Sequence, residues 1–225
     1  MGRMIELTAR DGHSFAAYEK VATTTVRGGL VVVQEIFGVN AHIRRVADGY
    51  AADGYRVMAP ALFDRAEPGI ELGYEGSDRD RGIGLMRAID KDLMLADVAA
   101  CVAALAPAGK VGIVGYCLGG SLAWLSAARV GGLSAAVGYY GGMIAGLLDE
   151  TPKCPVMLHF GEDDPSIPMA DVDRVRAAVD PARVQVFVYK DAGHAFNRDD
   201  GVTFRGEAAR VARERTVAFL RQHVG

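Results

Sequence analysis

The apolar run Val111-Gly112-Ile113-Val114 passes directly into Gly115-Tyr116-Cys117-Leu118-Gly119-Gly120, and no other feature of the chain constrains its fold as tightly. A strand that stops at Gly115 and turns sharply into a helix at Gly119 leaves Cys117 at the apex. Glycines flank it because side chains there would collide. A thiol at such an apex is presented to a cleft. It also sits near a helix N-terminus, whose dipole and free N–H groups favour a thiolate and can hold an oxyanion. The plainer reading of the same pattern is a buried cysteine in an ordinary strand-to-helix turn.

A nucleophilic thiol needs a base, and the base needs an orienting group. Asp164 lies in His159-Phe160-Gly161-Glu162-Asp163-Asp164-Pro165, just after the strand-like Pro155-Val156-Met157-Leu158. His194 lies in Asp191-Ala192-Gly193-His194-Ala195-Phe196, just after Val184-Gln185-Val186-Phe187-Val188. Each therefore sits on a loop leaving the carboxyl end of a strand, and in an open parallel sheet such loops converge on one crevice. The chain order nucleophile, acid, histidine is that of the α/β-hydrolases. Glu162 and Asp163 compete with Asp164 for the acid role, and spacing alone does not separate the three.

Apolar β-rich segments alternate with helical patterns, which predicts an α/β fold: a mostly parallel sheet of about eight strands with helices on both faces. Met4 to Thr8 and Phe15 to Lys20, joined around Asp11-Gly12, read as an opening antiparallel hairpin. Further strands are expected at Leu30–Gln34, Arg56–Ala59, Lys110–Val114, Ala135–Tyr139, Pro155–Phe160 and Val184–Tyr189. Helices are expected at Asn40–Asp53, Lys91–Leu105, Gly119–Arg129, Ala170–Val179 and Phe204–His223. The last places Phe204, Ala208, Val211, Arg215 and Phe219 at near-helical steps, a mostly apolar face for docking. The stretch from Pro60 to Asp90 shows only weak pattern and contains Arg65, Arg79 and Arg81. It reads as a long functional loop forming one wall of a substrate cleft, or else as a solvated charged loop.

The motifs Gln34-Glu35-Ile36-Phe37-Gly38-Val39-Asn40, Gly115 through Gly120, Phe160-Gly161 through Asp164 to Pro168, and Ala192-Gly193-His194-Ala195-Phe196 together resemble the dienelactone hydrolase family, over nearly the whole chain. The resemblance implies the α/β-hydrolase fold and a Cys117-His194-Asp164 triad, and it selects Asp164 over its acidic neighbours. It implies that Glu35 contacts the resting thiol and that Ile36 supplies one backbone N–H of the oxyanion hole. Leu118, the residue after the nucleophile, supplies the other by elbow geometry. It further implies two arginines for a substrate carboxylate: Arg198 matches the position of one, and Arg79 is our choice for the other, with nearby Arg81 the alternative. The chain departs from the family pattern at Gly82-Ile83-Gly84-Leu85-Met86, where the best-known members carry aromatic side chains, and this bears on substrate identity. The activity implied is hydrolysis of a small lactone or ester through a thioester acyl-enzyme.

Glu35 also stands out on its own, because it ends the buried-looking strand Leu30-Val31-Val32-Val33-Gln34 and needs a partner there, an arginine or the Cys117 thiol. Cys101 and Cys154 read as inert core thiols, His13, His42 and His223 as surface residues, and His159 as a packing residue. No metal-ligand spacing emerges, so neither metal nor cofactor is expected.

Composition sets outer bounds. The chain of 225 residues reads as one domain, with half of them hydrophobic and 25 Lys+Arg against 28 Asp+Glu. The formal net charge of −3 offers nothing to nucleic acid. No signal-peptide h-region opens the sequence and no apolar run approaches membrane-spanning length, so the expectation is a cytoplasmic protein, monomeric or weakly dimeric. Other classes fit less well. Gly115-x-x-x-Gly119-Gly120 lacks the spacing and the lysine of nucleotide-binding loops, and a non-catalytic binding module would lack a triad member. The nearest rival is a general thiol esterase that needs no substrate carboxylate.

Overall fold

A computed structural model describes residues 2–225. Eight strands form one sheet: β1 (Arg3–Thr8), β2 (Ser14–Lys20), β3 (Gly28–Val33), β4 (Tyr55–Pro60), β5 (Val111–Tyr116), β6 (Leu133–Tyr139), β7 (Val156–Gly161) and β8 (Val184–Tyr189). Their order in space is β1-β2-β4-β3-β5-β6-β7-β8. The opening hairpin pairs Thr8 with Ser14, β2 runs antiparallel to β4, and every pairing from β4 to β8 is parallel. All residues of β3, β5 and β7 are buried, which explains why these strands read as continuous apolar runs rather than alternating ones.

Strand order reverses direction at β3, and right-handed crossovers then place the connecting helices on opposite faces. α1 (Ala41–Ala52) follows β3 on one face, while α3 (Lys91–Leu105) and α4 (Leu118–Arg129) lie packed together on the other. The C-terminal helix α6 (Gly206–His223) shares the face of α1, where Arg213 pairs with Asp53 and lies 4.1 Å above the Tyr50 ring. α5 (Met169–Ala178) connects β7 to β8. α1 begins where expected because the Asn40 side chain accepts the Ile43 N–H at 3.2 Å, capping the first turn.

Three expectations are corrected. The stretch from Pro60 to Asp90 is not a loop: it holds a 3-10 turn at Leu62–Arg65 and the helix α2 (Ser77–Ala88). Gly82 is the one buried residue of α2, two of its residues are glycines, and Asp78 to Arg81 are all charged, so no apolar stripe marks it. Within that stretch Arg65 ties the 3-10 turn to α3, donating to fully buried Asp97 at 2.7 and 2.8 Å and to Asp11 at 2.8 Å. His42 is not a surface residue; it is 3% exposed on the inner side of α1, its ring edge-on to Tyr74. α6 starts at Gly206, after Phe204, and Phe204 is 38% exposed while Ala208 and Phe219 are buried. His159 is buried as expected. Its ring nitrogens meet the hydroxyls of Tyr189 at 2.8 Å and Thr216 at 3.1 Å, and burial pushes its pKa down to about 3, so it packs as a neutral ring.

Candidate active site

Cys117 stands between β5 and α4 with φ 54° and ψ −111°, a conformation that L-residues rarely adopt and that costs on the order of 1–3 kcal/mol. The surroundings impose it. A Cβ on Gly115 would lie 1.9 Å from the Gly119 carbonyl oxygen, one on Gly119 would lie 2.4 Å from that of Val33, and one on Gly120 would lie 2.4 Å from that of Tyr139. The turn is stitched to its neighbours as well: the Cys117 N–H donates to Tyr139 at 3.0 Å, and the Gly119 N–H to Gln34 at 3.0 Å. Leu118 opens α4, so no helical carbonyl precedes its N–H. Among the described residues neither the Leu118 nor the Ile36 N–H has a protein acceptor.

The acid and histidine loops meet at the end of β7. Gly161 allows the contact, since a Cβ there would lie 2.2 Å from the Ala192 carbonyl oxygen, and the Asp163 N–H donates to that same oxygen at 2.9 Å. Phe196, fully buried against Tyr140 and Tyr189, anchors the histidine loop, in which Asp191 and Ala195 take positive φ. Of the three adjacent acids, Glu162 and Asp163 point to solvent, whereas Asp164 is buried. One Asp164 oxygen accepts the Ser166 N–H at 2.8 Å and the other accepts His194 Nδ1–H at 2.7 Å. That bond leaves Nε2 as the second ring nitrogen, and Cys117 and His194 line the same cavity. Burial opposes charge on His194, but the bond to Asp164 and the influence of the neighbouring Cys117 sulfur outweigh it and hold the imidazolium up to about 10.

A cavity of about 400 Å³ opens over this line of residues, walled by Cys117, His194, Glu35, Arg79, Arg198 and a largely apolar remainder that includes Ile83, Met86 and Met143. Glu35 is 2% exposed and its Oε2 has no hydrogen-bond partner. Burial raises its pKa, while the Arg198 charge, the His194 charge and the Tyr74 hydroxyl pull it down. Arg198 stacks its guanidinium 3.7 Å above the Tyr74 ring and lies 3.5 Å from Asp200. Tyr74 takes a hydrogen bond from Asn40 at 3.0 Å, and Glu35, Tyr74 and Arg198 line the cavity together with Cys117 and His194. Arg79 is exposed at the cavity edge without an ion pair among the described residues, whereas Arg81 pairs with Glu67 at 2.5 Å away from the cavity.

Tyr74, Ser121 and Tyr140 belong to this neighbourhood and carry no sequence signal. Tyr74 falls in the weakly patterned stretch. Ser121 sits in a helix that looks like core, where its hydroxyl accepts the Met143 N–H at 3.1 Å. Tyr140, at φ 39°, packs its ring 5.1 Å from His194 and leaves a fully buried hydroxyl without a partner. Cys101 and Cys154 are buried far from these loops, and burial raises both thiols, Cys154 to about 11. Among the described residues, one set of potential metal ligands converges: His42, Asp199 and Asp200. Arg45 already pairs with both carboxylates, at 3.3 and 2.6 Å, which fits an ion-pair cluster beside Arg198 better than a cation site. Among the described residues no helix is long and apolar enough to cross a membrane.

Comparison with known proteins bears on this geometry. The carboxymethylenebutenolidase of Pseudomonas putida is 35% identical over 225 residues, covering 96% of this chain and 94% of that protein. A candidate carboxymethylenebutenolidase of Azospirillum brasilense is 38% identical, covering 98% and 99% of the two chains. The crystal structure of a candidate dienelactone hydrolase from Klebsiella pneumoniae superposes with a TM-score of 0.85 at 29% identity, over 99% of each chain. The dienelactone hydrolase family itself matches residues 15–224, from the second strand to the end of the C-terminal helix. With likeness of this extent in sequence and in structure, the chain belongs to the dienelactone hydrolase family and is a hydrolase of the α/β-hydrolase fold.

Proposed function

We propose that this enzyme cleaves a small lactone or ester, one that bears a carboxylate, by acyl transfer through Cys117. The observation that carries the reading is the 2.7 Å bond from buried Asp164 to His194, in the cavity that the Cys117 thiol at the strained apex also lines. The thiolate attacks the carbonyl carbon, and the N–H groups of Leu118 and Ile36 receive the oxyanion where charge develops. Collapse breaks the bond to the ring or ester oxygen, which takes a proton from His194, and a thioester remains. The acylated sulfur no longer supports the imidazolium, so His194 loses its proton more easily and serves as base for the incoming water. Water attacks the thioester, Cys117 leaves as thiolate, and the acid departs. Enol-type lactones suit this chemistry, since their oxygen leaves as a stabilised enolate.

Arg198, next to the histidine loop, and Arg79 at the opposite edge grip the substrate carboxylate by forked hydrogen bonds and set the carbonyl over the thiol. A carboxylate that draws Arg198 away from Glu35 leaves that buried anion without its cation, and Glu35 then takes a proton, which makes it an acceptor for the thiol proton in the occupied site. The reading places the enzyme in the cytoplasm as a single catalytic domain with three unpaired cysteines. Trapping with a slow ester tests it: the Cys117 peptide should gain the mass of one acyl group, and a protein that turns over substrate with Cys117 replaced by Ala would sink it.

A further inference from the structure

Three residues of the cleft, Met86, Leu118 and Met143, also line a second cavity of about 560 Å³. The rest of that cavity comes from the end of α2, the start of α3 and the residues between them, with buried Ile89 and Met94 beneath and the exposed side chains of Arg87, Asp90 and Lys91 at the rim. These three side chains therefore belong to the wall of both spaces, and two of them are partly exposed methionines. Methionine is unbranched and adapts its shape to what it touches. Met143 can do so without moving its main chain, which is held to Ser121 by the bond described above. No aromatic ring closes this wall, because Gly82-Ile83-Gly84-Leu85-Met86 carries none.

The chemistry of the site gives the shared wall a direction. His194 must reach the departing oxygen to protonate it, so the leaving group lies on the side of His194 and Arg198. The carbonyl oxygen points to the N–H groups of Leu118 and Ile36. What remains for the acyl chain is the side away from His194, over the Leu118 side chain and toward Met86 and Met143. We infer that the acyl portion of the preferred substrate is a flexible aliphatic chain of medium length that passes the two methionines and lodges in the second cavity. This rests on Cys117 being the acylated nucleophile.

The test uses the full-length protein and para-nitrophenyl esters from acetate to octanoate, all neutral and all releasing the same phenolate. kcat/KM should climb about three- to fourfold per added methylene, as burial of each one predicts. Ala88 lines the second cavity and not the cleft, and it is exposed, so Ala88→Trp fills that space at little cost to folding. The ratio of octanoate to acetate turnover should fall by about tenfold or more in this variant. A flat or declining series in the wild type, or a ratio unchanged by Ala88→Trp whatever happens to the absolute rates, overturns the inference. Because the esters are neutral, the carboxylate grip does not enter. A flat series alongside loss of acetate turnover in Cys117→Ala would leave the reading of the site standing and remove only the acyl-chain subsite.

Discussion

The elbow around Cys117 and the wall built by α2 face each other across one cleft, yet they are specified in opposite ways. At the elbow, main chain meets main chain: each of Gly115, Gly119 and Gly120 would drive a Cβ to within 2.4 Å of a carbonyl oxygen. Nothing but glycine satisfies those contacts, so the motif is written into the sequence. In α2 a single glycine is held this way, Gly82, whose added Cβ would lie 2.1 Å from the Ile36 carbonyl oxygen, while Gly84 two residues on meets nothing within 4 Å. The wall presents Ile83, Met86 and Arg79 to the cavity by choice of side chain rather than by steric necessity. A fold therefore fixes where the chemistry happens through backbone collisions, and it leaves the wall free to vary with the substrate.

The most severe way to break the comparison is at the apex. Cys117→Ala should abolish ester hydrolysis, and Asp164→Asn and His194→Ala should each lower kcat by orders of magnitude, as triad losses do. Glu162→Gln, Asp163→Asn, Cys101→Ala and Cys154→Ala should be mild, measured as kcat on one activated ester. A crippling Asp163→Asn would shift the acid by one residue and detach function from the 2.7 Å bond between Asp164 and His194.

Next in size is the steric core of the elbow. Gly115→Ala places a methyl against main chain that cannot retreat without moving α4, so denaturant unfolding should show a loss of about 3 kcal/mol, the upper end of overpacking costs. Gly82→Ala should cost less, about 1–2 kcal/mol, because α2 can lift away from Ile36. Part of the strain falls on Ile36, whose N–H is proposed to hold the oxyanion, so the loss should be greater in kcat than in stability. Equal thermal midpoints for Gly115→Ala and the wild type would contradict the packing described for the turn.

The arginines come third. Arg198→Ala should lower kcat/KM for an acid-bearing lactone by about 1.5–3 kcal/mol, the worth of a charged hydrogen bond, and barely touch a neutral aryl ester. Arg198→Lys should recover part of it, lacking the fork. Arg81→Ala, at an exposed pair with Glu67, should change neither by more than about 1 kcal/mol. Equal losses on charged and neutral substrates would make this a general thiol esterase.

The titration of His194 sharpens the same contrast at smaller scale. Its pKa is raised above the unfolded value, so the protonated ring and the stability it contributes are fully present below about pH 6.5 and are lost as pH rises through about 10. The alkaline limb of kcat/KM should accordingly lie near pH 10. Asp164→Asn removes one support of the imidazolium and should move that limb down by about one unit or more. A limb that does not move would separate Asp164 from the base.

How far the site is legible follows from these forces. Cys117, Asp164 and His194 stand at strand ends that the apolar periodicity of β5, β7 and β8 already marks, and the order of the three follows the chain. Spacing could not choose Asp164 among three acids, because the choice is made by burial and by a loop that Gly161 lets close on Ala192. α2 is not legible in the sequence because a helix with one buried residue leaves no stripe. The burial of His42 is hidden for a related reason: a polar residue on the inner face of α1 gives no sign of the Tyr74 ring that comes to it from a distant segment. Tyr74 and Tyr140 carry no local signal because their surroundings depend on what the fold brings to them.

The smallest effect gives the most direct test of the contrast, because it substitutes the same residue type on the other side of the cleft. Gly84 lies inside α2, exposed, with a φ outside the left-handed region and no atom near its missing Cβ. Ala there loses less backbone entropy on folding than Gly does, so Gly84→Ala should stabilise the protein by about 0.5–1 kcal/mol and leave kcat on a neutral ester unchanged. At Gly115 the same substitution gains the same entropy, but the collision with the Gly119 carbonyl oxygen outweighs it. Opposite signs of the two changes in denaturant midpoint, at unchanged slope, would show that the elbow is held by contact and the wall is not. A destabilising Gly84→Ala would mean that α2 needs its flexibility, and that the wall is under the same constraint as the turn it faces.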